Sequence, residues 1–144
     1  MVGPHAGGTA LGSLIDTSVL VEFERRWMAD PTALDGLPPD ACIAAIQISE
    51  LAMGALLADN QSRRVARETF LDRLVSTVLV VPLTELEARE HARLQVALRR
   101  AGTMIGERDL QIAATALANG HSVLTRNARE FSQVAGLAVV EPGW

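Results

Sequence analysis

The feature that most constrains this chain is the shortness of its apolar runs, each of which gives way within a few residues to a segment of helical periodicity. Leu14-Ile15 reads as a short buried strand ahead of Asp16, residues 78–81 have the β-branched density of a buried parallel strand, and Val123-Leu124 and residues 137–140 read as two more. Residues 42–45 are a second short strand or the lead-in to a helix. Between these runs the spacing of apolar residues predicts helices over 18–27, 46–57, 62–75, 84–101 and 108–118, with a loop over 30–39. The helix over 46–57 is apolar almost all round, which predicts burial on more than one side. Thr84 with Glu87 three residues on forms a capping-box pattern, and Gly102 and Asn119-Gly120 supply the stops. Short strands alternating with helices define an α/β domain with a mostly parallel sheet, because every parallel connection needs a crossover.

At 144 residues the chain has the length of one domain, and 49% hydrophobic residues give it enough apolar surface to fill a core. Residues 13–144 are expected to form that domain, with 1–12, rich in Gly, as a flexible lead-in that lacks the pattern of a signal peptide. The longest apolar run contains Pro82 and falls far short of the ~20 residues that span a bilayer, so a soluble protein without membrane association is expected. A lone Cys42 permits neither an internal disulfide nor a cysteine zinc site, which suits a reducing cytoplasm. All thirteen basic residues are Arg; the absence of Lys excludes P-loop nucleotide binding, Schiff-base chemistry and the phospho-acceptor site of receiver domains.

Polar residues just beyond strand ends are the first candidates for chemistry in an open parallel sheet. Asp16 and Asn127 occupy such positions, and each also suits a helix N-cap, with Glu130 at the capping-box position after Asn127. Glu50 and Asp109 fall among residues that helical periodicity buries: Glu50 lies beside Met53, Gly54 and Leu57, and Asp109 is in line with Ile112, Ala113, Ala116 and Leu117. Buried carboxylates persist when paired, hydrogen-bonded or bound to a cation, and a chain without Lys offers few partners. Asp16, Glu50, Asp109 and Asn127 together would present an all-oxygen site suited to Mg²⁺ or Mn²⁺. Setting aside those three carboxylates takes the net charge from −4 to −1, so a polyanionic substrate is compatible with the acidic total. Other chemistries are poorly provided for: His5, His91 and His121 have no ligand spacing, there is no GxSxG elbow or GxGxxG loop, and three Phe and two Trp make a thin stacking platform for single strands.

Four blocks, Leu14-Ile15-Asp16-Thr17-Ser18-Val19-Leu20, Ile48-Ser49-Glu50-Leu51, the run from Gly106-Glu107-Arg108-Asp109 to Ala116, and the run from Leu124-Thr125-Arg126-Asn127 through Ala128-Arg129-Glu130-Phe131, resemble in order the signature blocks of PIN-domain ribonucleases, most nearly the VapC-type toxins. The resemblance spans residues 14–142 and implies a three-layer α/β/α domain around a short-stranded sheet. It implies Asp16, Glu50 and Asp109 as acidic metal ligands, with Asn127 where a fourth Asp or Asn usually sits; Glu130 could compensate for the neutral amide. It further implies Thr17, Ser18 and Thr125 as hydroxyls that orient ligands, and Arg108, Arg126 and Arg129 stand beside the blocks as possible contacts to substrate phosphates.

The activity so implied is metal-assisted hydrolysis of RNA phosphodiesters, using Mg²⁺ or Mn²⁺ to activate water, in a growth-arresting toxin neutralised by a VapB-like antitoxin. A homodimer and higher toxin-antitoxin assemblies are typical of the family. Two other readings stand beside it: a PIN-like module with weak catalysis that binds RNA or protein, suggested by Asn127, and a DNA-directed nuclease.

Overall fold

The computed structural model describes residues 10–144; residues 1–9, including His5 and most of the expected lead-in, lie outside the described residues. The chain runs β1 (Ser13–Ile15), α1 (Thr17–Ala29), a 3-10 turn (Ala33–Gly36), β2 (Ala41–Ala44), α2 (Ala45–Leu56), α3 (Gln61–Thr77), β3 (Leu79–Val81), α4 (Glu85–Arg100), α5 (Glu107–Asn119), β4 (Ser122–Leu124), α6 (Ala128–Phe131) and β5 (Val139–Val140). The last two residues of the expected lead-in are tied to β4's approach: the Leu11 N–H donates to Gly120 O at 2.8 Å, and Gly12 O accepts the Ser122 N–H at 2.9 Å.

The five strands form one sheet in the order β3-β2-β1-β4-β5 with every pairing parallel, so the sheet is wholly rather than mostly parallel. Alternation along each strand divides the core in two. Leu14, Cys42 and Val123 face a cluster with Leu94, Leu98, Leu110, Ala113 and Phe131 of α4, α5 and α6. Ile15, Ile43 and Leu124 face the opposite cluster, with Val19, Phe23, Leu51, Phe70 and Leu74 of α1, α2 and α3. Three layers result, α/β/α, as the family resemblance implies and as the α/β character expected from strand–helix alternation allows.

The helix stops work as read. Gly102 and Gly120 both take positive φ, 71° and 69°, a region that a side chain with a Cβ disfavours. Thr84 sits at the N-cap of α4, and the Glu87 carboxylate accepts its N–H at 2.8 Å. Two expectations are corrected. Helix α2 buries one side only, through Gln47, Leu51 and Ala55, while Ile46, Met53 and Leu56 and the following Leu57 are exposed. Its all-round apolar character therefore does not mark all-round burial: α3 and the sheet cover a single face. Strand β3 is an edge strand, with Leu79 exposed, rather than a buried interior one, because nothing pairs beyond it.

Candidate active site

Strand β1 leads through α1 to one face of the sheet, whereas its neighbour β4 leads into α6 on the other, so the sheet switches direction between them. A crevice opens at the carboxyl ends of strands at such a point. Asp16 follows β1 and Thr125 follows β4 at that place, where the Asp16 N–H donates to Leu124 O at 2.9 Å.

The Asp16 side chain is buried, with 4% exposure, and does not cap α1 although it occupies the N-cap position. Its Oδ2 instead accepts the hydroxyls of Ser18 and Thr125, both at 2.7 Å. Thr125 Oγ1 in turn accepts the Asn127 N–H at 2.8 Å, and Ser18 Oγ accepts the Arg126 N–H at 3.2 Å. Two loops are thereby stitched to one carboxylate oxygen, which leaves Oδ1 without a bonded partner among the described residues. Thr17, Ser18 and Thr125, the expected orienting hydroxyls, all take part in the site's hydrogen bonds.

Asp109 lies on the first turn of α5, half-buried, where burial and the neighbouring Asp16 and Glu130 carboxylates push its pKa up to about 6. The Asn127 amide opposes that rise by approaching Asp109 Oδ2 at 3.4 Å. Asn127 occupies the N-cap position of α6 without capping it, because its Nδ2 donates to Glu130 Oε2 at 2.8 Å. Glu130 Oε1 accepts the Gly106 N–H at 2.8 Å, and these two bonds hold its carboxyl below the usual range. Glu130 thus buckles the start of α5, which carries Asp109, to the loop that carries Asn127.

Glu50, on α2, reaches the same region from across β1. Burial raises its pKa, opposed by Arg108, whose Nη1 stands 3.3 Å from Oε2, and by the Thr17 hydroxyl at 3.5 Å from Oε1; Asp16 raises it further. Sequence reading did not single out Gln47, the residue that organises this side. Wholly buried, it donates through Nε2 to Ile15 O at 2.7 Å and Thr17 Oγ1 at 3.1 Å, and its Oε1 accepts the Ala44 N–H at 2.8 Å. The ends of β1 and β2 and the Thr17 hydroxyl are fixed by this one amide. A polar residue between Ile46 and Ile48 in an otherwise apolar helix start was the available signal.

Among the arginines, Arg126 is committed elsewhere: it grips both Glu22 oxygens at 2.8 and 3.0 Å and lies 5.6 Å from the centre of the Trp144 ring. Arg129 lines an open cleft of about 340 Å³ together with Met104, Asn127, Glu130 and Gln133. Asp16, Asp109, Asn127, Glu130 and Glu50 therefore gather at one end of the sheet, but among the described residues no three Asp, Glu, His or Cys side chains close into a preformed metal cage. The donors nonetheless fit a hard divalent cation in kind, being oxygens throughout, and the Asp109 carboxyl, raised first by burial and then by the Asp16 and Glu130 charges, stands where such a cation would offset both.

The model of the PIN domain matches residues 13–137. The chain is 31% identical over 130 residues to Ribonuclease VapC1 of Rickettsia felis, covering 90% of this chain and 96% of that protein. It is 29% identical over 133 residues to Ribonuclease VapC5 of Mycobacterium tuberculosis, covering 92% and 95%. In fold it resembles the DNA-bound VapBC structure from Salmonella typhimurium, with a TM-score of 0.77 at 23% identity over 91% of this chain and 98% of that one. The chain belongs to the PIN-domain family and, within it, to the VapC group.

Proposed function

We propose that this protein is a VapC-type toxin, an endoribonuclease that hydrolyses RNA phosphodiesters with Mg²⁺ or Mn²⁺ and is held inactive by a VapB-like antitoxin. The observation that carries the reading is the Asp16 carboxylate at the switch point, buried, fixed by two hydroxyls through one oxygen and crowded by Asp109. Family membership supports it, as do relatives named as ribonucleases and fold neighbours that are VapBC complexes.

Asp16 and Asp109 would hold the cation, with Glu50 and Asn127 completing the oxygen set. When bound, the ion supplies a Lewis acid that lowers the pKa of a water and offsets charge on the phosphoryl oxygens. Asp16 presents Oδ1 because Ser18 and Thr125 immobilise Oδ2. Glu50, its pKa raised by burial, is suited to orienting the attacking water and accepting its proton. Arg129, solvent-exposed on the cleft wall beside Asn127, is placed for a substrate phosphate, whereas Arg126 holds Glu22 and shapes the loop. No side-chain nucleophile enters the scheme.

Among the described residues no helix is long and apolar enough to cross a membrane. A cytoplasmic site of action, a homodimer and a larger toxin-antitoxin assembly belong to the same proposal. Sequencing of new 5′-phosphate RNA ends after induction of the protein in cells, beside Asp16→Asn, tests it. Discrete ends that vanish in the variant are expected; ends that persist unchanged, or none at all, would overturn the catalytic reading in favour of a binding module.

A further inference from the structure

Arg108 and Glu50 meet across the site from α5 and α2, 58 residues apart in the chain. The two partners have unequal surroundings. The Arg108 side chain is 66% exposed, whereas that of Glu50 is only 10% exposed, so the anion is fixed in the wall and the cation reaches in from solvent. Only one guanidinium nitrogen is engaged, and the 3.3 Å contact is a long one for a charged pair. Among the described residues, Arg108 is the one cationic side chain bonded to any of Asp16, Glu50, Asp109 or Asn127. It also adjoins Asp109 in sequence, so the first turn of α5 carries both an expected metal ligand and the cation that reaches Glu50.

A carboxylate largely withdrawn from solvent beside other carboxylates needs a positive neighbour, and Arg108 is the neighbour present. A solvated guanidinium bonded through a single nitrogen is a weak competitor for that oxygen beside multidentate oxygen coordination of a divalent ion. We propose that Arg108 is a resident counter-cation for the site, which holds Glu50 while no divalent ion is bound, yields it when one binds, and is thereby released towards a substrate phosphate. This rests on the metal-dependent reading above. Arg108 then acts in opposite senses on two ligands: it weakens binding of the cation alone and strengthens binding of the polyanion once the cation is in place. It is a positioning residue, acting on the metal site through Glu50.

The test is direct binding of Mn²⁺ to the purified full chain, followed by titration calorimetry and by loss of the free-ion electron paramagnetic resonance signal. Wild type is compared with Arg108→Gln, Arg108→Lys, Arg129→Gln and Asp16→Asn, each checked for an unchanged thermal unfolding profile. Arg108→Gln is expected to bind Mn²⁺ about two- to fivefold more tightly than wild type, the range that loss of a single weak competing ion pair allows. Arg108→Lys, which keeps the charge, should stay near the wild-type affinity, and Arg129→Gln should change it less than Arg108→Gln. Equal or weaker binding by Arg108→Gln, or an equal gain in Arg129→Gln, would overturn the inference while leaving the metal site intact. If neither wild type nor Arg108→Gln binds Mn²⁺, or if Asp16→Asn binds it as well as wild type, the metal-dependent reading itself fails.

Discussion

At the residue scale the site is a set of carboxylates held by hydroxyls and amides, with Arg108 on Glu50 as the charged exception, and the buried amide of Gln47 was harder to read than the acids. Asp16 and Asp109 were legible because an acid at a strand end, or in line with a buried apolar helical face, contradicts its surroundings, whereas Met53 and Leu57, the neighbours that singled out Glu50, are exposed and do not account for its burial. Gln47 was not, since a lone amide in an apolar helix carries no charge to explain and its partners come from Ile15, Thr17 and Ala44, which only the folded sheet brings together. The N-cap reading of Asp16 and Asn127 placed them at the right backbone positions but assigned their side chains the wrong bonds, because Asp16 accepts the distant Thr125 hydroxyl and the Asn127 amide donates to Glu130 instead of accepting a helix N–H. Replacing Gln47 by Leu preserves bulk but strands the Ile15 carbonyl and the Ala44 N–H in the core. The expected loss is about 2–4 kcal/mol, measured as a shift in the urea midpoint at constant slope. A midpoint equal to wild type would show that the amide is not a structural clamp.

At the scale of elements, the five long helices were located to within a few residues, the short α6 and the 3-10 turn were not given as helices, and strands were located but not ranked. A helix announces its ends through Thr84, Gly102 and Gly120, whereas a strand of two or three residues has no terminal chemistry of its own, and its place in the sheet is decided by pairing. The α2 helix shows the converse limit: apolar residues all round it give no indication of which side the sheet will cover. Glu87 does more than the capping pattern implies, because its carboxylate also accepts the Asn119 amide at 2.9 Å and so ties the start of α4 to the end of α5. Burial alone would raise its pKa, but the bonds from the Thr84 hydroxyl, the Asn119 amide and the Thr84 N–H outweigh burial and hold it at about 2, against an ordinary 4.5. A carboxyl depressed in the folded state stabilises above its unfolded pKa and loses that contribution as pH falls through the folded value. Glu87→Gln should therefore lower stability by about 2–3 kcal/mol at neutral pH, with the difference from wild type shrinking between about pH 4.5 and pH 2. Thermal melts of both proteins across that range check the sign; a gap independent of pH would refute the assignment.

At the scale of the whole molecule, a thin parallel sheet of five short strands separates two apolar layers, and β1 contributes to both through adjacent residues. Leu14→Ala and Ile15→Ala open cavities on opposite faces and are each expected to cost about 2–5 kcal/mol, while leaving a single cooperative melting transition by calorimetry. Two resolved transitions would mean that the layers unfold separately. The parallel α/β character was legible because strand–helix alternation admits few packings, and the three layers followed from the family resemblance; the strand order was not legible, since β1 pairs with β4 residues 109 positions further along and nothing local specifies that pairing. The same long-range pairing divides the site between two stretches of chain. Asp16 and Glu50 precede the exposed loop after α4, and Asp109 and Asn127 follow it, with β4 seated between β1 and β5. A break at that loop would yield two polypeptides, one carrying Asp16 and Glu50 and the other Asp109 and Asn127, which complete the site only when they meet; the loop after α4 is thus a natural place to divide this protein into a conditional, two-component switch.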